Sequence, residues 1–363
     1  MKSLYVHIPF CQHICSYCDF SKVYYREDWA ERYLTALSYE IKDKNLHNDY
    51  ETIYIGGGTP SSLSLQQLHC LLEILKPFSK KVKEYTIEIN PESFDEEKLK
   101  LCIDYGINRL SIGVQTFQDH LLPYIQRYHH KKMVLDCILK AQQWGIEDIN
   151  IDLMYGLPHQ TLQDVLQDID IVALYQISHV SVYSLILEDH TFLKHEHYQP
   201  LDDEEDAKWY EKINDYLAKN GYSHYEVSNY YLNKPSYHNL TYWHYQDYEG
   251  IGLSAHSLKH HHRLENTKSL TQYFQYHYLE KDILLSHKDE IFEKIMMGLR
   301  LTEGISIHEM NKMTEADFLT QYHEIIQKYQ KMKMLEIKQG YLRTTALGMN
   351  YLNNILVDFI EED

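Results

Sequence analysis

Residues 7–20 read HIPFCQHICSYCDF and contain a C-x3-C-x2-C pattern formed by Cys11, Cys15 and Cys18. The pattern follows directly on an apolar run, SLYVHIP, at residues 3–9. Cysteines clustered in this way indicate metal or redox chemistry rather than a disulfide framework. Three thiolates can hold three irons of a [4Fe-4S] cube and leave the fourth iron open. The alternative is a zinc site, which needs a fourth ligand from a nearby histidine or a distant residue.

Strand-like runs alternate with helix-like segments from this motif to about residue 187. Ser64 with Gln67 and Thr161 with Asp164 have the spacing of capping boxes at helix starts. Such alternation predicts a parallel sheet with crossover helices. The strand-like runs are SLYVHIP, TIYIG, YTIEIN, RLSIGVQ, DINIDLMY and HVSVYSLIL.

These runs have one apolar and one polar face, whereas strands covered on both faces are almost continuously apolar. In YTIEIN at residues 85–90, for example, tyrosine and isoleucines alternate with Thr86, Glu88 and Asn90. A parallel sheet of this kind suits a barrel with a polar, ligand-filled interior. We therefore predict an α/β fold, a partial (β/α)6 barrel with the cysteine loop at its C-terminal mouth. Half-exposed antiparallel strands are the alternative.

The remaining sequence predicts two further regions after a core barrel at residues 1–222. Residues 223–287 are rich in Tyr and His without clear periodicity, and we interpret them as a loop-rich linking region. Residues 288–363 are predicted to form a small helical, winged-helix-like α+β domain with a strand pair turning at Gln339 and Gly340. The other three cysteines lie in helical segments and are predicted to be buried core thiols: Cys70, Cys102 and Cys137.

Composition and charge restrict the classes of partner. The formal net charge is -18 and no Lys/Arg cluster is evident, so a nucleic-acid or anionic membrane partner is disfavoured. The N-terminal apolar run is too short for a signal peptide, and no stretch approaches a membrane span of about 20 apolar residues. These observations predict a cytoplasmic location.

The motif Y-x-H-I-P-F followed by C-x3-C-x-Y-C resembles the signature of the radical SAM superfamily, in its oxygen-independent coproporphyrinogen III oxidase-like branch. The resemblance implies a [4Fe-4S] cluster on the three cysteines. It also implies S-adenosylmethionine on the open iron, where an electron from the cluster cleaves the cofactor to a 5'-deoxyadenosyl radical. The protein would orient the cofactor and exclude solvent.

Further cofactor residues follow from the same resemblance. The G-G-G-T-P motif after the second strand corresponds to the segment that contacts the methionine end of the cofactor. A carboxylate such as Asp152 can accept bonds from ribose hydroxyls, and Arg127 can pair with the ligand carboxylate. Taken singly, these charged residues would be ordinary helix caps or surface charges. The implied cofactor residues are Tyr5, Tyr17, Gly57, Gly58, Thr59, Glu88, Gln115, Arg127 and Asp152.

Two features distinguish the branches of this family. The oxidases carry a fourth cysteine two residues after the third, whereas this chain has Phe20 there. The C-D-F ending is typical of the HemW-type haem chaperones, which share an H-N-x-x-Y-W motif, here His238-Asn239-Leu240-Thr241-Tyr242-Trp243. His238 can ligate haem iron while Tyr242 and Trp243 offer aromatic faces to the porphyrin. Asn239 completes the implied haem motif.

The resulting hypothesis is a haem chaperone that binds haem, one cluster and S-adenosylmethionine and passes haem to an unidentified acceptor protein. A reductant such as a flavodoxin or ferredoxin is compatible with it. The enzyme alternative is oxidative decarboxylation of coproporphyrinogen propionates, which Phe20 and the haem motif disfavour. Radical modification of RNA is a third class, disfavoured by the negative charge.

Overall fold

The alternating apolar and polar residues of the N-terminal half form a layered α/β structure. The computed structural model describes residues 2–46, 49–189, 191–314 and 316–360. Numbered along the chain, its strands are β1 (Ser3–Ile8), β2 (Phe10–Cys11), β3 (Val23–Tyr24), β4 (Thr52–Gly57), β5 (Glu84–Ile89), β6 (Arg109–Gln115), β7 (Asp148–Tyr155), β8 (His179–Ser184), β9 (Ser223–Glu226), β10 (Asn229–Tyr231), β11 (Tyr248–Ile251), β12 (His256–Lys259), β13 (His262–Asn266), β14 (Leu279–Leu284), β15 (Ile305–Ser306), β16 (Leu335–Lys338) and β17 (Tyr341–Thr344). Its helices are α1 (Glu27–Asp43), α2 (Leu65–Leu75), α3 (Glu96–Asp104), α4 (Lys131–Gln143), α5 (Leu162–Leu174), α6 (Phe192–His195), α7 (Asp203–Lys219), α8 (Tyr237–Trp243), α9 (Leu270–Tyr273), α10 (His287–Gly298), α11 (Ile307–Met310), α12 (Phe318–Gln321), α13 (His323–Lys331), α14 (Ala346–Asn350) and α15 (Leu352–Asp358).

Twelve strands of the described residues form one mixed sheet, in the order β14-β13-β12-β11-β1-β4-β5-β6-β7-β8-β10-β9. The six neighbours from β1 to β8 are all parallel. This confirms the predicted parallel core of a partial barrel. The sheet continues beyond it through β11, which is parallel to β1, and through β10, which is antiparallel to β8.

The core lies on the apolar face of the parallel strands, beneath the helices. Ile87 and Ile151 are fully buried there, as are Leu37 of α1 and Ile169 of α5. Both predicted capping boxes are present, at the starts of α2 and α5. The polar residues of the same strands consequently point away from this core.

The segment at residues 223–287 is not loop-rich, so that prediction was wrong. It contains the strands β9 to β14, all of which extend the central sheet, with β11 next to β1 and β10 next to β8. Sequence periodicity misses them because they are short and do not alternate between buried and exposed positions. All of β14 is exposed, and most of β13 is half-buried.

Helix α8 lies across the amino-terminal ends of the central strands and forms a floor beneath the polar interior. Ser3, the first residue of β1, hydrogen-bonds to Thr241 of α8, with 2.7 Å between the two hydroxyl oxygens. The Glu84 carboxylate, at the start of β5, accepts bonds from the backbone N–H groups of Tyr237 and His238 at 2.8 and 2.9 Å. On its other side α8 packs against α10.

The C-terminal region has its own core and a three-stranded sheet in the order β15-β17-β16. Ile295, Phe318 and Leu342 are buried in that core. The β16–β17 hairpin turns at Gln339 and Gly340, both with positive φ, as predicted. The small sheet covered by short helices agrees with the predicted winged-helix-like α+β domain.

The three isolated cysteines do not share one environment. Cys102 is fully buried and Cys137 is half-buried, whereas Cys70 is exposed. The prediction of a core thiol was wrong for Cys70, because it faces away from the side of α2 that buries Leu68 and Leu71. In the part of the chain that the structure describes, no helix is long and apolar enough to cross a membrane.

Candidate functional site

The three clustered cysteines lie in the loop after β1, at the carboxyl end of the parallel strands. The Tyr25 N–H donates to the Cys11 carbonyl at 2.8 Å, and the Cys18 N–H donates to the Cys15 carbonyl at 3.2 Å. Cys11 is buried, and Cys15 and Cys18 are half-buried. Among the described residues no three His, Cys, Asp or Glu side chains are grouped as ligands of one metal ion.

Burial makes the thiolate forms of the clustered cysteines unfavourable. It raises the pKa of Cys11 to about 11, and it also raises the pKa of Cys18. Thiolates are the forms that ligate metals, so desolvated thiols of this kind need a positive partner to ionise. An iron cluster would supply that positive charge.

The glycine motif after β4 lies directly against the cysteine loop. A Cβ added at Gly58 would lie 2.7 Å from the Pro9 carbonyl and 3.0 Å from the Cys11 sulfur. Gly57 has a φ of +118°, and a Cβ there would lie 2.8 Å from the His7 ring. The Thr59 hydroxyl oxygen lies 3.5 Å from the Cys11 sulfur. Close approach of the two loops therefore requires glycine at these positions.

Glu88 points into the polar interior and contacts the glycine motif. Its carboxylate accepts bonds from the Tyr54 hydroxyl at 2.8 Å and from the Gly57 N–H at 3.0 Å. Burial, with the nearby Asp152 charge, raises the pKa of Glu88 to about 7, although the two hydrogen bonds oppose this shift. A cationic ligand would favour the ionised form of such a carboxyl.

Arg127 connects the site to the cysteine loop. Its guanidinium donates to Asn90 Oδ1 at 2.9 Å, to the Gly113 carbonyl, and to the Cys15 sulfur at 3.5 Å. Although burial opposes it, the Cys15 and Tyr17 charges raise the pKa of Arg127. Its Nε is buried without a hydrogen-bond partner among the described residues. A buried cation with a free donor fits an anionic group on a ligand.

Asp152 lies on the polar face of β7, next to β6. Asn150 Nδ2 donates to the Asp152 carboxylate at 2.8 Å, and the Ser111 hydroxyl donates to the same carboxylate at 3.3 Å. Burial raises the pKa of Asp152, and these hydrogen bonds oppose the shift. Gln115 follows on β6 with a φ of +68°, at an irregularity in its pairing with β7.

The two implied cofactor tyrosines lie at different depths. Tyr17 is half-buried within the cysteine loop, where burial and then the Cys15 charge raise its pKa. Tyr5 is deeper, on β1, and its hydroxyl lies 3.1 Å from His7 Nδ1. His7 Nε2 in turn lies 2.9 Å from the Ser21 carbonyl oxygen, and this contact connects the interior to the segment that follows the cysteine loop.

The H-N-x-x-Y-W motif forms most of α8, at the opposite end of the strands. His238 is 1% exposed, its Nδ1 lies 2.8 Å from the Thr52 hydroxyl, and its Nε2 lies 2.8 Å from the Tyr242 hydroxyl. Both ring nitrogens are thus engaged in this conformation. Trp243 Nε1 is buried without a hydrogen-bond partner among the described residues, and the Arg300 guanidinium lies 5.7 Å from the Trp243 ring. Asn239 is half-buried beside Tyr225.

The structure therefore groups the implied cofactor residues at one end of the strands and the haem motif at the other. Two further residues join the first group: Asn90, which sequence reasoning placed only on the polar face of YTIEIN, and Tyr54, which it missed. Tyr54 lies on the polar face of β4, so the alternation in TIYIGG was the signal that could have identified it.

The chain is similar to known proteins over its whole length. The family model for the radical SAM superfamily matches residues 5–172, and that for the HemN C-terminal domain matches residues 285–351. The chain is 38% identical to the heme chaperone HemW of Lactococcus lactis, covering 100% of this chain and 98% of that protein. It is 39% identical to the HemW of Bacillus subtilis, covering 84% of this chain and 85% of that protein.

The chain belongs to the HemW family of radical SAM proteins. A relative in Escherichia coli, also named heme chaperone HemW, is 31% identical over 99% of this chain and 98% of its own length. Among solved structures, the coproporphyrinogen III oxidase HemN of Escherichia coli superposes with a TM-score of 0.86. That match covers 99% of this chain and 89% of the oxidase at 23% identity, and it establishes the shared fold.

Proposed function

We propose that this protein binds haem and transfers it to an acceptor protein, with a [4Fe-4S] cluster and S-adenosylmethionine at the cysteine end of the barrel. The observation that carries the proposal is similarity over the whole chain to proteins named as heme chaperones. Phe20, in the position of the oxidases' fourth cysteine, supports it. This side chain is 66% exposed next to the cysteine loop.

The residues at the cysteine end fit the proposed cofactors. Cys11, Cys15 and Cys18 would hold the cluster, which supplies an iron open to S-adenosylmethionine when bound. Arg127 offers a buried guanidinium for the ligand carboxylate, and Glu88 offers a half-buried carboxylate for its cationic groups. Asp152, with Gln115 beside it on β6, is left for the ribose hydroxyls. Thr59 and the glycines allow the ligand to approach the backbone.

The cluster assignment is tested by iron and sulfide analysis after anaerobic reconstitution. We expect Cys11→Ala, Cys15→Ala and Cys18→Ala each to lose most of the bound iron and the charge-transfer absorbance. Cys70→Ala is the matched control, since Cys70 is a thiol on the outer face of α2, and it should retain both. Retention of a full cluster by all three loop variants would refute the assignment.

The haem assignment is tested by haemin titration followed through the Soret band. We expect His238→Ala to weaken haemin binding by at least tenfold, because the variant lacks the imidazole that would be an axial ligand of the iron. His179→Ala is the matched control, because His179 is also 1% exposed and both its ring nitrogens have partners. Equal losses in the two variants would mean that the effect is structural.

Transfer itself is tested by mixing the haem-loaded protein with an apo-haemoprotein and following the acceptor's spectrum. A coproporphyrinogen decarboxylation assay runs in parallel, because the shared fold of HemN makes that oxidase activity the second candidate. Catalytic decarboxylation without any haemin binding would overturn the chaperone proposal in favour of the oxidase.

A further inference from the structure

Side chains connect the floor helix α8 to the cofactor end through the interior of the barrel. The ring of His238 stacks on the ring of Tyr54, with centroids 5.1 Å apart and an interplanar angle of 28°. The Tyr54 hydroxyl donates to Glu88 Oε1 at 2.8 Å, and Glu88 Oε2 accepts from the Gly57 N–H at 3.0 Å. Three contacts thus span from the H-N-x-x-Y-W motif to the glycine motif.

These side chains lie alongside β4, and each end of β4 contacts one of them. Thr52, the first residue of β4, binds His238 Nδ1, and Gly57, the last residue, binds Glu88. At about 3.3 Å per residue these two positions are roughly 16 Å apart. No single side chain bridges such a distance, whereas His238, Tyr54 and Glu88 together form a continuous series of contacts between the two ends.

The packing around the connection leaves little room for independent movement. A Cβ added at Gly56 would lie 2.8 Å from the Glu88 carboxyl carbon and 2.9 Å from the Tyr54 ring. Tyr5 also stacks on Tyr54, with ring centroids 6.2 Å apart. Because close-packed interiors transmit displacements rather than absorb them, a shift of His238 would move Glu88.

We propose that His238 and Tyr54 are positioning residues for the cofactor pocket, so that the floor helix sets the affinity for S-adenosylmethionine through Glu88. The inference rests on the proposed function, because it places S-adenosylmethionine at the glycine motif. It adds that the haem motif and the cofactor pocket are energetically coupled. Such coupling is reciprocal: each ligand changes the affinity for the other by the same factor.

The first test measures S-adenosylmethionine affinity by equilibrium dialysis on the reconstituted protein. Tyr54→Phe keeps the ring but removes the hydroxyl from Glu88, and we expect affinity to fall about tenfold, as for other hydrogen bonds to charged groups. Tyr85→Phe is the matched control on the adjacent strand, since the buried Tyr85 hydroxyl has no hydrogen-bond partner among the described residues. Affinity in that variant should be unchanged.

A pH profile separates positioning from general disruption. The Tyr54 hydroxyl lowers the pKa of Glu88, so its removal should move the midpoint of the affinity profile to higher pH. Asp152, Arg109, Tyr5 and Tyr242 also face Glu88, and both Tyr54→Phe and Tyr85→Phe leave them in place. Wild-type affinity and an unmoved midpoint in Tyr54→Phe would overturn the inference.

The role of His238 is tested through Thr52→Val, which removes the partner of its Nδ1 and leaves the histidine itself in place. We expect S-adenosylmethionine affinity to fall about threefold, a smaller loss because the stacked ring remains. Unchanged affinity in this variant would overturn the role of the floor helix. Absence of S-adenosylmethionine binding by the wild type would refute the proposed function, which distinguishes the two failures.

Reciprocity gives an independent measurement with haemin as the second ligand. In the wild type, the factor by which haemin changes S-adenosylmethionine affinity should equal the factor by which S-adenosylmethionine changes haemin affinity. In Tyr54→Phe both factors should approach one. A coupling factor that is the same in wild type and variant would contradict the proposed connection.

Discussion

His238 has the protonation state needed to bind iron, but neither of its ring nitrogens is free to do so. Burial lowers the pKa of His238 to about 3, so the imidazole is neutral, which is the form that ligates metals. A neutral imidazole has one donor and one acceptor nitrogen, and here each has a partner. Haem ligation through this residue therefore requires one of the two hydrogen bonds to open.

Tyr242→Phe is expected to strengthen haemin binding. It removes the hydroxyl that holds His238 Nε2 while retaining the aromatic ring, so the free energy needed to expose this nitrogen falls by about 1 kcal/mol. We expect a gain in affinity of about fivefold, measured by Soret titration.

Tyr248→Phe provides the control for this gain, because Tyr248 is in edge contact with Tyr242 and lies outside the motif. Its haemin affinity should equal that of the wild type. A loss of affinity in Tyr242→Phe would show that the hydroxyl, rather than the histidine nitrogen, contacts the ligand.

Most candidate site residues could be named from the sequence because they belong to local motifs. The cysteine loop is identifiable by its spacing, whereas the glycine motif and Glu88 were named through the family resemblance; the fold brings all three into contact. Tyr54 was missed because its importance comes from what lies across the barrel. Neither the stacking on His238 nor the burial of that histidine has any signal in the order of residues.

At the level of elements, two glycines in the C-terminal sheet differ in what a side chain would meet. Gly340 turns the β16–β17 hairpin with a φ of +83°, and an added Cβ would have no atom within 4 Å. Gly304, before β15, has a φ of +85°, and its Cβ would lie 2.3 Å from the Leu342 carbonyl oxygen. Gly340 is needed only for its positive φ, whereas Gly304 is also needed because a side chain would not fit there.

Alanine substitutions should separate these two effects in urea unfolding. We expect Gly340→Ala to lower the free energy of unfolding by about 1 kcal/mol, through backbone strain alone. Gly304→Ala should lower it by about 3 kcal/mol or more, because the clash adds to the strain.

Gly106→Ala serves as the reference for strain without a clash, since Gly106 has a φ of +84° and open space around its Cβ. It should resemble Gly340→Ala. If Gly304→Ala were no worse than these two, the close packing of the C-terminal sheet around Gly304 would be contradicted.

Elements with strong local signals were predictable, and elements without them were not. The helices α2 and α5 begin at capping boxes, and the parallel strands alternate cleanly. Strands β13 and β14 carry no such pattern, because their side chains are partly or wholly in solvent on both faces. Their existence depends on tertiary interactions, because β13 pairs with β12 and β14 pairs with β13.

For the whole molecule, the joint between the main sheet and the C-terminal domain contains a buried carboxyl. Glu226 of β9 is 1% exposed and forms an isolated bridge with Leu301. Burial raises the pKa of Glu226 from 4.5 to about 7, although Asn229 and the Arg300 charge oppose this shift. The folded protein therefore binds a proton here that the unfolded chain releases above pH 4.5.

This proton makes stability fall with pH. The contribution of protonated Glu226 is complete below the pKa of the unfolded chain and is lost as pH rises through about 7. Glu226→Gln, which is neutral throughout, should be more stable than the wild type at pH 8 by on the order of 2 kcal/mol. At pH 4.5 the two should be nearly equal, as measured by urea unfolding at both pH values.

Glu204→Gln is the control, because Glu204 is exposed on α7 and pairs with Lys208 at the surface. It should give no stabilisation at pH 8. A wild type that equals or exceeds Glu226→Gln in stability at pH 8 would mean that the carboxylate is stabilised in the joint after all.

The outward position of Cys70 allows the proposed haem transfer to be followed optically. A maleimide fluorophore attached to Cys70 after cluster reconstitution would sit on the outer surface of α2, away from both ends of the barrel. Haem absorbs strongly across the visible range, so its arrival would quench the dye and its departure to an acceptor would restore the emission. Loading and delivery then become rates that can be timed in a stopped-flow instrument.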